Sequence, residues 1–169
     1  MTPVALRPVA LFDPTRHQIE DFRCGIGELD DWLARTAAIA AAAGTAATWV
    51  LCRGRRVVGY YALAMGSVTH VGVPSRLARG QPDPVPVLLL ARLALDRSEQ
   101  GQGLGADLLR DALLRSLVGA RHYGARAVVV DAVDEAAVAF YAHHGFVPLA
   151  GRRLYRRTSD LERALPESG

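Results

Sequence analysis

Between Leu93 and Leu109 the chain reads Leu-Ala-Leu-Asp-Arg-Ser-Glu-Gln-Gly-Gln-Gly-Leu-Gly-Ala-Asp-Leu-Leu, and no other stretch limits the fold as strongly. An apolar run ends at Asp96, Arg97 to Gln100 cross as a polar loop, and Gly101, Gly103 and Gly105 open an amphipathic helix. Backbone N–H groups then leave a helix N-terminus with no side chains in the way. That geometry suits a phosphate or pyrophosphate.

The surrounding pattern predicts an antiparallel half followed by a β–α–β–α–β half. Val4 to Phe12 reads as a short first strand interrupted by Pro8, and Asp13-Pro14 as the start of a turn or short helix toward Phe22. Leu29, Trp32, Leu33 and Thr36 follow helical spacing, with Glu28 to Asp31 supplying acids to the first turn and an alanine-rich tail reaching about Ala43 before Gly44 stops it. Thr48–Cys52 and Val57–Ala64 read as two strands around a tight turn over Arg53 to Arg56. Gly72 to Pro86, rich in glycine and proline, reads as a flexible loop before a buried strand over 87–95.

In the second half, Leu104, Leu108, Leu109, Ala112 and Leu113 give the glycine-initiated helix one apolar face. Ala127 to Val130 is a buried strand ending at Asp131, and Asp134 is placed to cap a helix over Glu135 to His144, closed by Gly145. Phe146-Val147 and Leu154-Tyr155 read as late strands, and Leu161 to Leu165 as a terminal helical turn. The strands 87–95 and 126–130 form a parallel pair joined by the glycine-initiated helix. With 169 residues, half of them hydrophobic, and no internal repeat or linker, the expectation is one domain over 1–169.

Other bulk features narrow the class. No apolar run reaches about 18 residues, which excludes a membrane helix by pattern. The start, Met1-Thr-Pro-Val, lacks a signal-peptide layout, so a cytoplasmic protein is expected. Cys24 and Cys52 make neither a disulfide framework nor a metal-ligand pair, and no metal site is expected. The net charge is +3, yet the chain has no lysine, so all 20 basic side chains are arginine. Codon bias accounts for this blandly; selection for bidentate phosphate contacts is the alternative. Arg53, Arg55 and Arg56 cluster, as do Arg152, Arg153, Arg156 and Arg157, while Arg76, Arg79, Arg92 and Arg97 flank the central segment.

Three phosphate motifs compete for the glycine stretch. A P-loop needs a lysine after the glycines and is excluded. Gly101, Gly103 and Ala106 satisfy the dinucleotide fingerprint G-x-G-x-x-A, with Asp131 where a ribose-binding acid would stand. Against it, Arg97 to Gln100 separate strand from glycine, and about 65 residues after Gly105 cannot supply the remaining strands of a doubly wound sheet. The third motif, Gln100-x-x-Gly103-x-Gly105, followed about 35 residues later by Phe140-Tyr-Ala-His-His-Gly-Phe146, resembles the GNAT N-acetyltransferase superfamily over nearly the whole chain.

That resemblance implies an α/β (mixed α+β) fold whose central mixed, mostly antiparallel sheet carries a splayed parallel strand pair flanked by helices. It implies acetyl-CoA as cofactor. Leu93, Ala94 and Leu95 would bond its pantetheine amides; backbone amides of Gln100, Gly101, Gln102, Gly103, Leu104 and Gly105, leading into Ala106, would hold its pyrophosphate. The helix capped by Asp134 would line the other side, with Ala137 and Phe140 against the cofactor. Phe140 is expected in the core and Tyr141 facing the cleft, its phenol protonating the departing thiolate or fixing the thioester carbonyl. No cysteine or serine is placed for a covalent intermediate, and no general base is evident; His143 and His144 read as surface residues at a helix C-terminus.

The motifs Phe22-Arg-Cys-Gly and Leu29-Asp-Asp-Trp-Leu33, with Ala91-Arg-Leu-Ala-Leu95 and Asp131-Ala132, further resemble the GNAT toxins of type II toxin–antitoxin modules. This implies acetylation of the α-amine of aminoacyl-tRNA, a block of translation, a ribbon–helix–helix antitoxin partner and a homodimer. Arg76, Arg79, Arg92 and Arg97 would then neutralise tRNA phosphates. The basic tail Arg152 to Arg157 departs from the mostly apolar closing strand of the family. Two other functions stay open: acetylation of a protein or small-molecule amine, and a non-catalytic acyl-CoA-binding module.

Overall fold

A computed structural model describes residues 4–165; the first residues of the N-terminal reading, 1–3, fall outside it. The elements are β1 (Ala10–Leu11), α1 (Gly27–Arg35), α2 (Ala37–Ala43), β2 (Ala47–Arg53), β3 (Arg56–Val68), α3 (Ser75–Ala78), β4 (Val85–Leu95), α4 (Leu104–Tyr123), β5 (Ala127–Asp131), α5 (Glu135–His143), β6 (Val147–Ala150), β7 (Arg153–Arg157) and α6 (Thr158–Ala164). The sheet order is β1-β2-β3-β4-β5-β7-β6. The pairs β1–β2, β2–β3, β5–β7 and β6–β7 are antiparallel and β4–β5 is parallel, so the architecture is mixed α/β with a mostly antiparallel sheet. The described residues group into two compact units, one of 4–63 and 92–111, the other of 64–91 and 112–165.

In the first unit, β1, β2 and the start of β3 form an antiparallel ribbon with a bulge between Leu51 and Cys52. The first strand is much shorter than expected, because only Ala10 and Leu11 pair in register, with Leu6 bridging to Arg53 on its own. The expected single helix to Ala43 is two. Thr36, stretched to φ −114° within the right-handed region, separates α1 from α2, whereas Gly44 stops α2 in the left-handed conformation as its lack of a Cβ permits. Leu29 and Leu33 bury one face of α1. Phe22, Trp32 and Tyr60 stack nearby, and the Tyr60 hydroxyl donates to the Leu29 carbonyl at 2.6 Å.

In the second unit, β4 and β5 pair parallel over Leu88↔Val128, Leu89↔Val129 and Leu90↔Val130 only. The pairing stops there, although β4 itself continues to Leu95. Val68, Leu77, Val85, Val87, Ala127, Val129 and Tyr155 make one core, while Leu88 packs with Ala120 and Ala125 on the α4 side. The alternation of faces explains why β4 reads as continuously apolar: both sides are covered. The 72–86 segment is not all loop, since Ser75–Ala78 form a helical turn whose Leu77 is buried. The closing strand β7 pairs with β5 from Ala127↔Arg157 to Asp131↔Arg153, and the terminal helix starts earlier than expected, at Thr158.

Candidate active site

The glycine loop is anchored from four directions within the first unit. Asp96 caps the 3-10 turn over 97–99: its carboxylate accepts the Ser98 N–H at 3.1 Å and hydroxyl at 2.6 Å, the Arg23 N–H at 2.8 Å and Arg56 Nη2 at 3.0 Å. The Arg97 N–H returns to the Arg23 carbonyl at 2.8 Å. Glu99, 4% exposed, takes both Nε and Nη2 of Arg53. Finally, the Gln100 side-chain amide donates to the Cys24 carbonyl at 2.8 Å and the Leu95 carbonyl at 2.9 Å.

These contacts give the N-terminal motif a structural role. Asp30 accepts the Cys24 N–H at 2.9 Å, which fixes the backbone that Gln100 grips. Asp96, Glu99 and the loop-anchoring part of Asp30 escape a reading of the glycines alone. The Asp96-x-Ser98 spacing after a strand is a capping signature that could have revealed the first.

With the loop so held, the N–H groups of Gly101 to Ala106 have no protein acceptor among the described residues, and helix hydrogen bonding resumes with Asp107 N–H to the Gly103 carbonyl. Gly101 and Gly103 both sit at φ +82°, where a side chain is strained, and a Cβ at either would meet nothing within 4 Å. The space in front of the amides is open. Two expectations change. The Gln100 N–H is engaged by the Arg97 carbonyl at 3.4 Å, and the Leu95 carbonyl is taken by the Gln100 side chain, because the loop closes on itself as a 3-10 turn. The free amides therefore begin at Gly101.

The tyrosine helix belongs to the second unit. Asp134 caps α5 as expected, accepting the Ala137 N–H at 2.8 Å. The expected burial of Phe140 and Tyr141 is exchanged: Tyr141 is buried at 5% exposure and Phe140 is half-buried. The Tyr141 ring packs edge-on against Phe146, which the Gly145 turn folds back, and against Phe140. Its hydroxyl makes no hydrogen bond among the described residues, and burial alone pushes the phenol well above its usual range. His143 is exposed; burial, aided by His143 and Arg156, lowers the His144 imidazole below its ordinary value.

Arginines divide sharply by partner. Arg76 and Arg79 are exposed beside α3 in the second unit; Arg97 is exposed and Arg92 half-buried in the first. Arg92 does not stand free toward solvent, since its guanidinium lies 4.8 Å over the Trp32 ring. The basic tail is spent locally. Arg152 reaches Glu135 and the Val133 carbonyl, Arg153 grips Asp131 at 2.8 and 2.9 Å, Arg156 donates to the His144 carbonyl and Arg157 grips Asp160. Both cysteines are buried free thiols raised by burial to about 11, unfit as nucleophiles at neutral pH.

A glycine loop with unspent amides at the start of a 20-residue helix is built to receive a phosphate or pyrophosphate. Residues 44–148 match the acetyltransferase (GNAT) domain, and the chain belongs to that family. It is 49% identical over 128 residues to the tRNA-acetylating toxin of Mycobacterium tuberculosis, covering 76% of this chain and 77% of the toxin. Among solved structures, AtaT complexed with acetyl-methionyl-tRNAfMet superposes with a TM-score of 0.85 at 28% identity, covering 95% and 99% of the two chains. A tyrosine-to-phenylalanine variant of AtaT, bound to the C-terminus of the antitoxin AtaR and acetyl-CoA, gives 0.83 at 27% identity, covering 96% and 99%. Among the described residues no helix is long and apolar enough to cross a membrane.

Proposed function

We propose that this chain is a cytoplasmic toxin that moves an acetyl group from acetyl-CoA to the α-amino group of aminoacyl-tRNA, blocking translation. The row of unspent amides from Gly101 to Ala106 carries the cofactor half of this reading. Such a row, at the start of a 20-residue helix, offers N–H donors and a positive dipole end to a pyrophosphate. The likeness to tRNA-acetylating toxins supports the acceptor half. A ribbon–helix–helix antitoxin and a homodimer complete the proposal. One acetyltransferase domain is part of it too, since the matched stretch 44–148 runs through both units.

Acetyl-CoA supplies an activated thioester. Leu93 and Ala94 would orient the pantetheine arm by backbone hydrogen bonds, and Ala137 and Phe140 would line it. The neutral α-amine attacks the thioester carbonyl; a C–N bond forms, the C–S bond breaks and the nitrogen gives up its proton to water. Tyr141 gives its phenolic proton to the leaving thiolate and recovers one from water. An α-amine with a pKa of about 8 is partly neutral already, so no dedicated base is required. Arg76, Arg79, Arg92 and Arg97 would steer the polyanionic acceptor. Incubation with labelled acetyl-CoA and charged tRNA tests the reading. Label on the amino acid of the tRNA is expected; label on deacylated tRNA, on protein or nowhere overturns it.

A further inference from the structure

The sequence groups Arg53, Arg55 and Arg56, but the fold separates them. Arg53 and Arg56 are locked by Glu99 and Asp96. Arg55 turns the other way, donating from Nε to the Arg16 carbonyl and from Nη2 to the Thr15 carbonyl, each at 3.0 Å. With Arg7 and Arg16 it lines a cavity of about 450 Å3 in the first unit, a size typical of ligand sites. None of the three is ion-paired to a carboxylate among the described residues. The nearby Asp13 carboxylate is occupied by the Thr15 N–H at 2.9 Å and hydroxyl at 2.7 Å.

His17 also lines this cavity. Its Nδ1 accepts the Asp13 N–H at 2.9 Å, so the neutral ring carries its proton on Nε2 and keeps one donor. Pro8 and Ala10, both exposed, give the cavity its apolar face, with Val50 and Cys52 nearly buried at its floor. The combination is an amphipathic cradle, cationic on one side and greasy on the other. A nucleotide matches it: arginine forks take phosphate oxygens while the sugar and base lie on the apolar side.

We propose that this cavity seats a backbone phosphate of the tRNA substrate, with the attached nucleoside against Pro8 and Ala10, using none of the glycine-loop residues. The inference rests on the aminoacyl-tRNA reading. A nucleic acid presents a charge at every residue, so it meets Arg7, Arg16 and Arg55 without a special sequence. An acidic peptide needs carboxylates at matched spacing.

The test is the double variant Arg7→Gln with Arg16→Gln; Arg55 is left intact because it holds the Thr15 and Arg16 carbonyls. Binding of a charged tRNA pool is followed by fluorescence anisotropy across a salt series. Affinity is expected to fall roughly 10-fold, and the log–log salt slope to become shallower by about 0.7–0.9, as for one phosphate no longer neutralised. The KM for tRNA should rise with kcat held, while acetyl-CoA affinity and thermal midpoint stay put. Arg7→Lys with Arg16→Lys should restore most of the slope. Unchanged tRNA affinity and slope, beside active wild-type protein, overturn the cavity assignment alone. That assignment also falls if AMP displaces the tRNA fully, or if only an acidic peptide loses affinity. Wild-type protein that neither binds nor acetylates charged tRNA overturns the substrate reading and this inference with it.

Discussion

The side-chain amide of Gln100 bridges to the carbonyl of Cys24, 76 residues earlier, at 2.8 Å while also holding the Leu95 carbonyl at 2.9 Å. Both hydrogens of one NH2 group are thus spent on tying the end of β4 to the N-terminal motif. The glutamine that marks the motif in sequence is a strut for the loop, and the ligand-facing groups are the amides after it.

Replacing the strut should loosen the loop rather than remove a ligand contact. Gln100→Glu puts a carboxylate against two carbonyl oxygens with no donor to offer, and Gln100→Leu leaves both without this partner. Each is expected to cost about 1–3 kcal/mol of stability. Acetyl-CoA affinity should fall about 10-fold, equivalent to about 1.4 kcal/mol. Calorimetric titration and thermal melts check both numbers. Retained affinity in Gln100→Leu would mean the loop keeps its shape without the strut.

Tyr141→Phe separates chemistry from packing. The hydroxyl makes no hydrogen bond among the described residues, so its loss should leave the thermal midpoint within a degree or two of wild type. Acetyl transfer should nevertheless fall by about 10²-fold or more, the usual scale of a lost general acid. Burial raises the phenol pKa, so the tyrosine stays protonated throughout the physiological range. The rate against pH should therefore show no descending limb from this group below about pH 10. A full rate in the phenylalanine variant removes Tyr141 from the mechanism.

Fold and loop were legible because each left a period or a punctuation mark. The β2–β3 turn, the buried 87–95 run, the Asp134 cap and the Gly44 stop are local signals, and each stands where its residues place it. What escaped is long-range. The exchange of burial between Phe140 and Tyr141 depends on how Gly145 returns Phe146 onto the tyrosine ring, which helical spacing in a nine-residue element does not encode. The arginine clusters misled for a similar reason. Charge counted along the chain is blind to partners such as Asp131, Asp160 and Glu99, which neutralise Arg153, Arg157 and Arg53.

Gly103 tests whether the loop needs its backbone conformation or merely a small residue. At φ +82° an alanine is strained, although its methyl would meet nothing within 4 Å. The expected cost of Gly103→Ala is about 1–2 kcal/mol, taken from backbone strain alone. Gly103→Asn should be milder, because asparagine visits the left-handed region more readily. If alanine and asparagine weaken acetyl-CoA binding equally, strain is the wrong explanation and bulk near the ligand the better one.

Acid should attack the anchor before the core. The Arg53 guanidinium holds the Glu99 carboxyl below its usual range against the opposing effect of burial. Burial pushes Asp96 up, but the Ser98 hydroxyl, the Arg23 and Ser98 amides and Arg56 together outweigh it, so its pKa too is lowered. Groups depressed in the folded state stabilise it fully above their unfolded pKa values and lose that contribution as pH falls through the folded ones. With ordinary values of 3.8 for Asp96 and 4.5 for Glu99, the loss begins near pH 4.5 and deepens below it. Wild-type stability should accordingly decline across that window. The variant Asp96→Asn with Glu99→Gln should start less stable at pH 7 and show a flatter acid limb. Chemical denaturation at pH 7, 5, 4 and 3 measures the slope directly. Parallel slopes in the two proteins would assign acid sensitivity to other carboxylates, such as Asp160 beside Arg157, whose pKa is lowered by the same kind of pairing.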